Sequence, residues 1–366
     1  MSWWDLRPAD AADAIAAWVA ARGEPAFRAR QIAARLWQRP VAAWADATDL
    51  PRALQQALEA EHPVPRPALA ARQASTDGTV KFLWRFGDGA AIESVLIPEG
   101  RRRTLCVSSQ AGCAFGCVFC ATGRMGFGRH LAPSEIAAQV RELLLEPGGE
   151  RPTNVVFMGM GEPLHNWPAV DIALSILNDP EGFGIGARHI TVSTVGLVPG
   201  LAKLAARPEQ FKVAWSLHSP ASERRAGLMP VERKYPLPAV TEALRAFARR
   251  VTFEYVMIRG RNDQTEDARA LAGLARELGA HVNLLPLHPG GAPGLEPTPP
   301  AVITAFAAEL RRMGANATVR RSRGLDIAAA CGQLRVAVDA GRVGAEQNGD
   351  VEEEARVGLQ DDATQA

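Results

Sequence analysis

Three of the chain's five cysteines fall within eight residues, Cys113, Cys117 and Cys120 in "CAFGCVFC". Five cysteines scattered at random over 366 positions would give such a triple with a chance of roughly 1 in 1,000. Thiolates this close bind zinc or an iron–sulfur cluster. A structural zinc site needs a closed tetrahedron, for which His130 or Cys106 would supply the fourth ligand. A 4Fe–4S cluster held by the three cysteines alone leaves one iron without a protein ligand, open to a small chelating molecule. Other residues with chemical potential lie far from the triple in sequence. Cys106 precedes it, Cys331 sits in "AACGQL", Glu93 in "IESVLIP" and Glu162 in "GMGEP". Taken alone, each extra cysteine reads as an inert buried thiol, and Glu93 as an exposed acid on a strand.

Something must hold these residues together, and the hydrophobic pattern indicates what. Six short apolar runs, "TLCVSS", "TNVVFMG", "HITVST", "KVAWSL", "VTFEYVMI" and "VNLLPL", read as strands. Amphipathic runs such as "SEIAAQVRELLLE", "YPLPAVTEALRAFARR" and "TEDARALAGLARELG" fall between them. Strands alternating with helices predict an α/β fold, a parallel sheet curled into a partial (β/α)6 barrel. Its buried strands are expected to be continuously apolar. Chemistry in such barrels belongs at the C-terminal strand ends. Those ends read "SSQ", "GMGEP", "STVG", "SLHS", "IRG" and "LHPGG", polar and glycine-rich. Residues 1–66 read as a helical unit, 67–100 as a linker with a β-hairpin, 101–340 as the barrel, and 341–366 as an acidic, disordered tail.

Bulk composition excludes several classes. Hydrophobic residues make up 47% and charged residues 22%, a globular balance, and no run suggests a transmembrane helix. The start "MSWWDLRPAD" lacks a signal-peptide pattern, so a cytoplasmic location is expected. In that setting, cysteines point to metal or catalytic thiols rather than disulfides. Net charge is +1, but basic clusters stand at Arg101–Arg103 and in "RRSR" at Arg320–Arg323. Such clusters suit phosphate contacts, though a solvated surface is the more common use. A monomer is the working expectation.

CxxxCxxC with an aromatic, Phe119, before its last cysteine resembles the signature of radical S-adenosylmethionine (SAM) enzymes. In that superfamily the methionyl amino and carboxylate groups of SAM bind the open iron, and one electron cleaves the sulfonium to a 5′-deoxyadenosyl radical. "GMGEP" resembles the motif that holds the methionyl amino group, which would make Gly161 and Glu162 cofactor contacts. The stretches "FMGMGEPLHN", "GFGIGARHITVSTVGLVPG", "SLHSP", "LMPVERKYPL" and "RRSRGLDIAAACGQL" together resemble the RlmN/Cfr family of RNA adenine methyltransferases. The likeness covers roughly residues 20 to 334, and "GEPAFRARQIAARLW" is similar to that family's small helical RNA-binding domain.

The resemblance implies a reaction and a set of roles. An adenine C2 carbon offers no lone pair to a methyl sulfonium, so direct transfer fails and a radical route is needed. In the family one SAM methylates a cysteine, and a second supplies the radical that activates that S-methyl group to add to the base. A second cysteine then frees the cross-link by forming a disulfide. The resemblance assigns the methyl-carrying role to Cys331, the resolving role to Cys106 and proton acceptance to Glu93. Ser193, Ser216, Leu217 and His218 match its SAM-binding positions. His288 stands where the family has an asparagine cofactor contact, and His130 where "RNL" is common. The implied substrate is 23S rRNA, extending to tRNA, and the implied electron donor is a protein such as a flavodoxin. C8 methylation in the manner of Cfr, or a non-catalytic zinc-stabilised RNA-binding module, are the alternatives.

Overall fold

The computed structural model describes residues 2–247, 250–288 and 292–334. The acidic tail from Gly341 lies outside them. Three helices come first: α1 Pro8–Ala21, α2 Phe27–Leu36 and α3 Arg52–Glu61. Helix α1 begins with a proline, whose missing N–H costs nothing there, and buries Ala11, Ile15 and Val19 at helical spacing. The chain then enters a three-stranded antiparallel section, β1 Ala68–Ala74, β2 Val80–Arg85 and β3 Ala91–Glu99. The expected hairpin is β2–β3; β1 lies in the stretch read as a linker.

Strand β4 Arg102–Cys106 pairs antiparallel with β3 on one side. A two-stranded ribbon follows, β5 Gln110–Gly112 and β6 Phe127–His130, enclosing the short helix α4 Ala121–Arg124. Helices and strands then alternate: α5 Pro133–Leu145, β7 Asn154–Phe157, α6 Trp167–Asn178, β8 Ile190–Thr194, α7 Val198–Ala205 and β9 Lys212–Ser216. Next come α8 Ser222–Leu228, α9 Leu237–Leu244, β10 Val251–Met257, α10 Thr265–Leu278, β11 His281–Pro286, α11 Pro300–Arg312 and β12 Asn316–Val319. All ten strands outside the ribbon form one sheet in the order β1-β2-β3-β4-β7-β8-β9-β10-β11-β12. From β4 onward the pairings are parallel. The six runs expected as strands are all present. The additional parallel strand is β12, whose "NATV" is too short and too polar to stand out. The β1–β3 section is thus a direct extension of the barrel sheet rather than a separate appendage.

The sheet curls, because its two ends meet. Past β12, Asp326 accepts hydrogen bonds from Ser75 Oγ (2.6 Å) and the Thr76 N–H (3.2 Å), in the turn between β1 and β2. Asp77 accepts one from the Gly324 N–H at 3.0 Å. Helices cover the convex face, where the Tyr255 ring of β10 lies 5.6 Å from Phe306 of α11. On that face Phe157, Val192, Val213, Phe253 and Val282 are buried. Side chains alternate along a strand, so the register aligns a different set on the concave face. Ser193, Ala214, Thr252, His281 and Asn316 form one row, and Ser216, Glu254, Asn283 and Thr318 the next. This corrects the expectation of continuously apolar strands: the barrel interior is lined with polar groups, as a water- or ligand-filled cavity requires.

Candidate active site

The three clustered cysteines lie in the loop between β5 and β6. Backbone bonds fix that loop: the Cys113 N–H donates to Gly126 (2.8 Å), Cys120 to the Cys117 carbonyl (3.0 Å) and Val118 to Leu228 (3.1 Å). Burial pushes the Cys113 thiol up to about 12 and the Cys117 thiol well above its ordinary value, with the neighbouring thiols and Glu162 adding to both shifts. The three thiols are therefore close enough to feel one another. Among the described residues no three His, Cys, Asp or Glu side chains converge as a single ion would need. His130 is held instead by Gln110 Nε2 at 3.0 Å, beside His165, and Cys106 lies near enough to Cys331 for its thiol to be raised by it. The fourth zinc ligand expected from His130 or Cys106 is therefore not brought to the loop. Three thiols in mutual electrostatic range, with no fourth protein ligand beside them among the described residues, fit a three-cysteine cluster site better than a closed tetrahedral ion site. Bound cationic metal would reverse the thiol shifts, since a coordinating thiol is deprotonated outright.

Glu162 opens a loop at the C-terminal end of β7, beside this cluster of thiols. Its Oε1 accepts from the Leu164 N–H (3.0 Å) and its Oε2 from the Val195 N–H (2.8 Å) just past β8. Burial raises its carboxyl to about 7 against the pull of these donors. The Thr194 side chain also bonds it, and of the carboxylate's roughly four acceptor sites one stays open for a further donor. Gly161 has φ +97, and a Cβ there would lie 2.5 Å from Cβ of Gln110, so only glycine fits. The same Gln110 accepts from the Glu162 N–H at 2.7 Å and thereby sets the loop. Gly161→Ala is expected to push this loop off Gln110 and displace Glu162. SAM affinity should fall about tenfold or more, with a stability loss of about 1–3 kcal/mol. Equilibrium dialysis with labelled SAM and a melting curve read both; unchanged SAM affinity would remove Glu162 from the site.

His218 has a left-handed backbone, φ 54, rare for a non-glycine residue and found where surroundings over-determine a strained geometry. Its Nδ1 accepts the Val256 N–H at 3.0 Å, which leaves the proton on Nε2. Burial and then Arg225 lower its pKa to about 3, so the ring is a neutral donor. The Phe119 ring stands edge-on to it at 4.4 Å, joining the cysteine loop to the end of β9. Ser193 and Ser216 are half-buried on the concave face, and Leu217 is buried, its N–H shared between Trp215 and Glu254 carbonyls. His288 is half-buried and pairs through Nε2 with the Ser322 hydroxyl. That contact ties the end of β11 to the segment leading to Cys331.

Cys331 lies next to the cysteine loop, because the Gly332 carbonyl accepts the Ala121 N–H at 2.7 Å and the Leu334 carbonyl accepts Thr122 Oγ1 at 2.7 Å. Cys331 is solvent-exposed, and desolvation raises its thiol to about 11. Glu254 and Cys120 add to that rise and Arg320 opposes it. Cys106 is buried, its thiol raised by burial and then by Cys331. Val95 pairs with Cys106, and Glu93 and Lys81 follow on the same face of β3 and β2. Glu93 is buried and meets Lys81 Nζ at 3.0 Å, and Lys81 also reaches the Ala328 carbonyl at 3.4 Å. It is not the exposed acid that the strand pattern alone suggests.

Sequence reasoning missed two residues here. Glu254 is a buried carboxylate on the concave face, bonded by Asn283 at 2.9 Å and raised by burial. An acid inside "VTFEYVMI" was the available signal. Arg225, wholly buried, pairs with Glu232 and donates to the carbonyls of Leu217 (3.1 Å) and Val195 (2.7 Å), clamping the ends of β8 and β9.

A curled parallel sheet with a three-cysteine loop over its C-terminal mouth defines a class. Residues 107–272 match the radical SAM superfamily. A solved structure, a radical SAM methyltransferase from Sphaerobacter thermophilus, is 43% identical with a TM-score of 0.85, covering 92% of this chain and 99% of that one. The "Probable dual-specificity RNA methyltransferase RlmN" of Gemmatimonas aurantiaca is 58% identical over 90% of this chain and 92% of its own length. The "Dual-specificity RNA methyltransferase RlmN" of an Anaeromyxobacter species is 47% identical over 86% of each. The chain belongs to the RlmN family of radical SAM enzymes.

Proposed function

We propose that this protein methylates C2 of adenine in 23S rRNA, and in tRNA, through an S-methylcysteine and a transient protein–RNA cross-link. The observation that carries the reading is the convergence of Cys331 on both the cysteine loop and Cys106. A structural zinc module has no use for that second thiol pair. Cys113, Cys117 and Cys120 would hold a 4Fe–4S cluster, which supplies the electron that cleaves SAM. Two SAM molecules are used per turnover.

The chain's own groups do the rest. Glu162 receives the methionyl ammonium of SAM, with Gly161 giving the loop its shape. Ser193, Ser216, Leu217, His218 and His288 line the mouth where the rest of SAM lies, and His218 offers a fixed N–H. Cys331 carries the one-carbon unit to the base and Glu93 takes the C2 proton; the Cys106 thiolate then attacks the Cys331 sulfur, the S–C bond breaks with its electron pair staying on carbon, a proton completes the methyl group, and a thiol reductant reopens the disulfide before the next turnover. Residues 1–66 form an RNA-binding unit, and 67–100 extend the barrel domain of 101–340. Reduction comes from a donor of the flavodoxin type, and the enzyme works in the cytoplasm as a monomer. Among the described residues no helix is long and apolar enough to cross a membrane.

Protein purified without oxygen is expected to be brown, with iron and sulfide but little zinc. With SAM and a reductant it should form 2-methyladenine in 23S rRNA and tRNA, identified by chromatography and mass of the nucleoside. Stoichiometric zinc without iron would leave only the non-catalytic reading standing. Appearance of 8-methyladenine instead would make the protein Cfr-like.

A further inference from the structure

The end of the barrel away from the active site is also built. There the parallel strands begin, and a cavity of about 380 Å³ opens among the starts of β8 to β12. Its charged lining residues are Arg188, Lys212 and Arg250, and no acid is among them. They come from the segments entering β8, β9 and β10, three adjacent strands spaced about 4.8 Å apart. Gln210, His281 and Asn316 add neutral polar atoms.

The cations are held ready rather than spent. Arg250 is fixed by its own donors, Nε to the Phe247 carbonyl at 2.9 Å and Nη1 to Phe211 at 3.1 Å. Among the described residues Arg188 gives only its Nε, to Gln210 at 2.9 Å. Lys212 has no hydrogen bond or ion pair among the described residues and is exposed. Acids near this end are engaged elsewhere: Glu209 with Arg207 and Glu150 with Arg103. On the same rim, at the start of β4, Arg101 and Arg102 are exposed and likewise unpaired among the described residues. This gives the basic "RRR" cluster a place in the same field. A concave site lined by one sign of charge raises the local concentration of the opposite ion.

We propose that this cavity binds a phosphate, and that the phosphate belongs to the backbone of the substrate RNA outside the modified loop. The inference rests on the RNA-methyltransferase reading. A strand of five to seven residues separates the two ends by about 17–23 Å. Only an RNA larger than the loop being modified can reach both, so the contact adds affinity for long RNA and none for a short hairpin.

The test is the double variant Arg188→Glu/Lys212→Glu, compared with Arg188→Gln/Lys212→Gln as a neutral control for folding. Binding is measured by fluorescence anisotropy over a salt series, with the longest RNA that the wild type methylates and with a hairpin carrying only the target loop. Loss of this phosphate contact should lower the slope of log K against log salt by about 1 and weaken long-RNA binding about tenfold or more. Hairpin binding and hairpin methylation should be unchanged, and the neutral pair should lie between. Unchanged affinity and slope for long RNA would overturn the proposal. So would equal losses on both RNAs, which indicate general repulsion rather than a site. Titration with inorganic phosphate provides the third arm. Phosphate binding lost in the variant, with long-RNA affinity intact, would show a small-anion site and overturn the RNA assignment. If the wild type methylates no RNA, the functional reading itself fails; if it does and the variant binds long RNA normally, only this inference fails.

Discussion

Cys331→Ala is expected to abolish methyl transfer to RNA while leaving iron content and SAM binding at wild-type levels. The reason is positional. Cys331 is next to the cysteine loop through the Gly332–Ala121 bond but supplies no part of the CxxxCxxC triple. Alanine keeps the backbone carbonyl that accepts the Ala121 N–H, so the loop should stay in place. The sulfur that would carry the methyl group is all that is removed. Labelled methyl transfer from SAM to RNA, iron analysis and equilibrium dialysis measure the three quantities. Loss of iron together with activity would mean that Cys331 is a structural partner of the cluster loop; retained methylation would end the S-methylcysteine route.

Cys106→Ala should behave differently. It is expected to accumulate a covalent protein–RNA adduct, visible as a slow band on a denaturing gel that ribonuclease collapses. Without the second thiol the cross-link to Cys331 forms but no disulfide can release it, so at most one turnover's worth of RNA is consumed. Cys106 lies in β4 paired with Val95, on the face shared with Glu93, and it is close enough to Cys331 for that thiol's charge to raise it. A Cys→Ala change in a packed strand removes a single sulfur, a loss the fold tolerates at a cost of about 1 kcal/mol. Normal multiple turnover by this variant would sink the two-cysteine cycle. The two variants thus fail at different steps of one cycle, which neither a general folding defect nor a loss of cluster would reproduce.

Arg225 illustrates a dependence that these variants leave untouched. A buried guanidinium holding carbonyls at the ends of β8 and β9 fixes where Glu162's partner Val195 and the His218 turn sit. The geometry of the mouth is therefore set by a residue that touches none of the proposed reacting groups.

Much of the site was open to reading in the chain alone. The cysteine triple is a local object, fixed by spacing within one loop, and six of the parallel strands announced themselves by apolar runs that must be buried. Long motifs carried the family, and with it the roles proposed for Glu93, Cys106 and Cys331. The nearness of Cys106 to Cys331, the burial of Glu93 against Lys81 and the place of Glu254 were decided only by the tertiary structure. Each depends on strand register and on the curl that brings the segment after β12 to the turn before β2. Those contacts join residues from opposite ends of the sheet, and no local periodicity encodes them. The polar interior went unseen for a related reason. A strand covered by helices on one face and open to a cavity on the other alternates polar and apolar side chains, and over four to seven residues that pattern looks much like a fully buried strand with a few interruptions. Only the register shows that the interruptions line up.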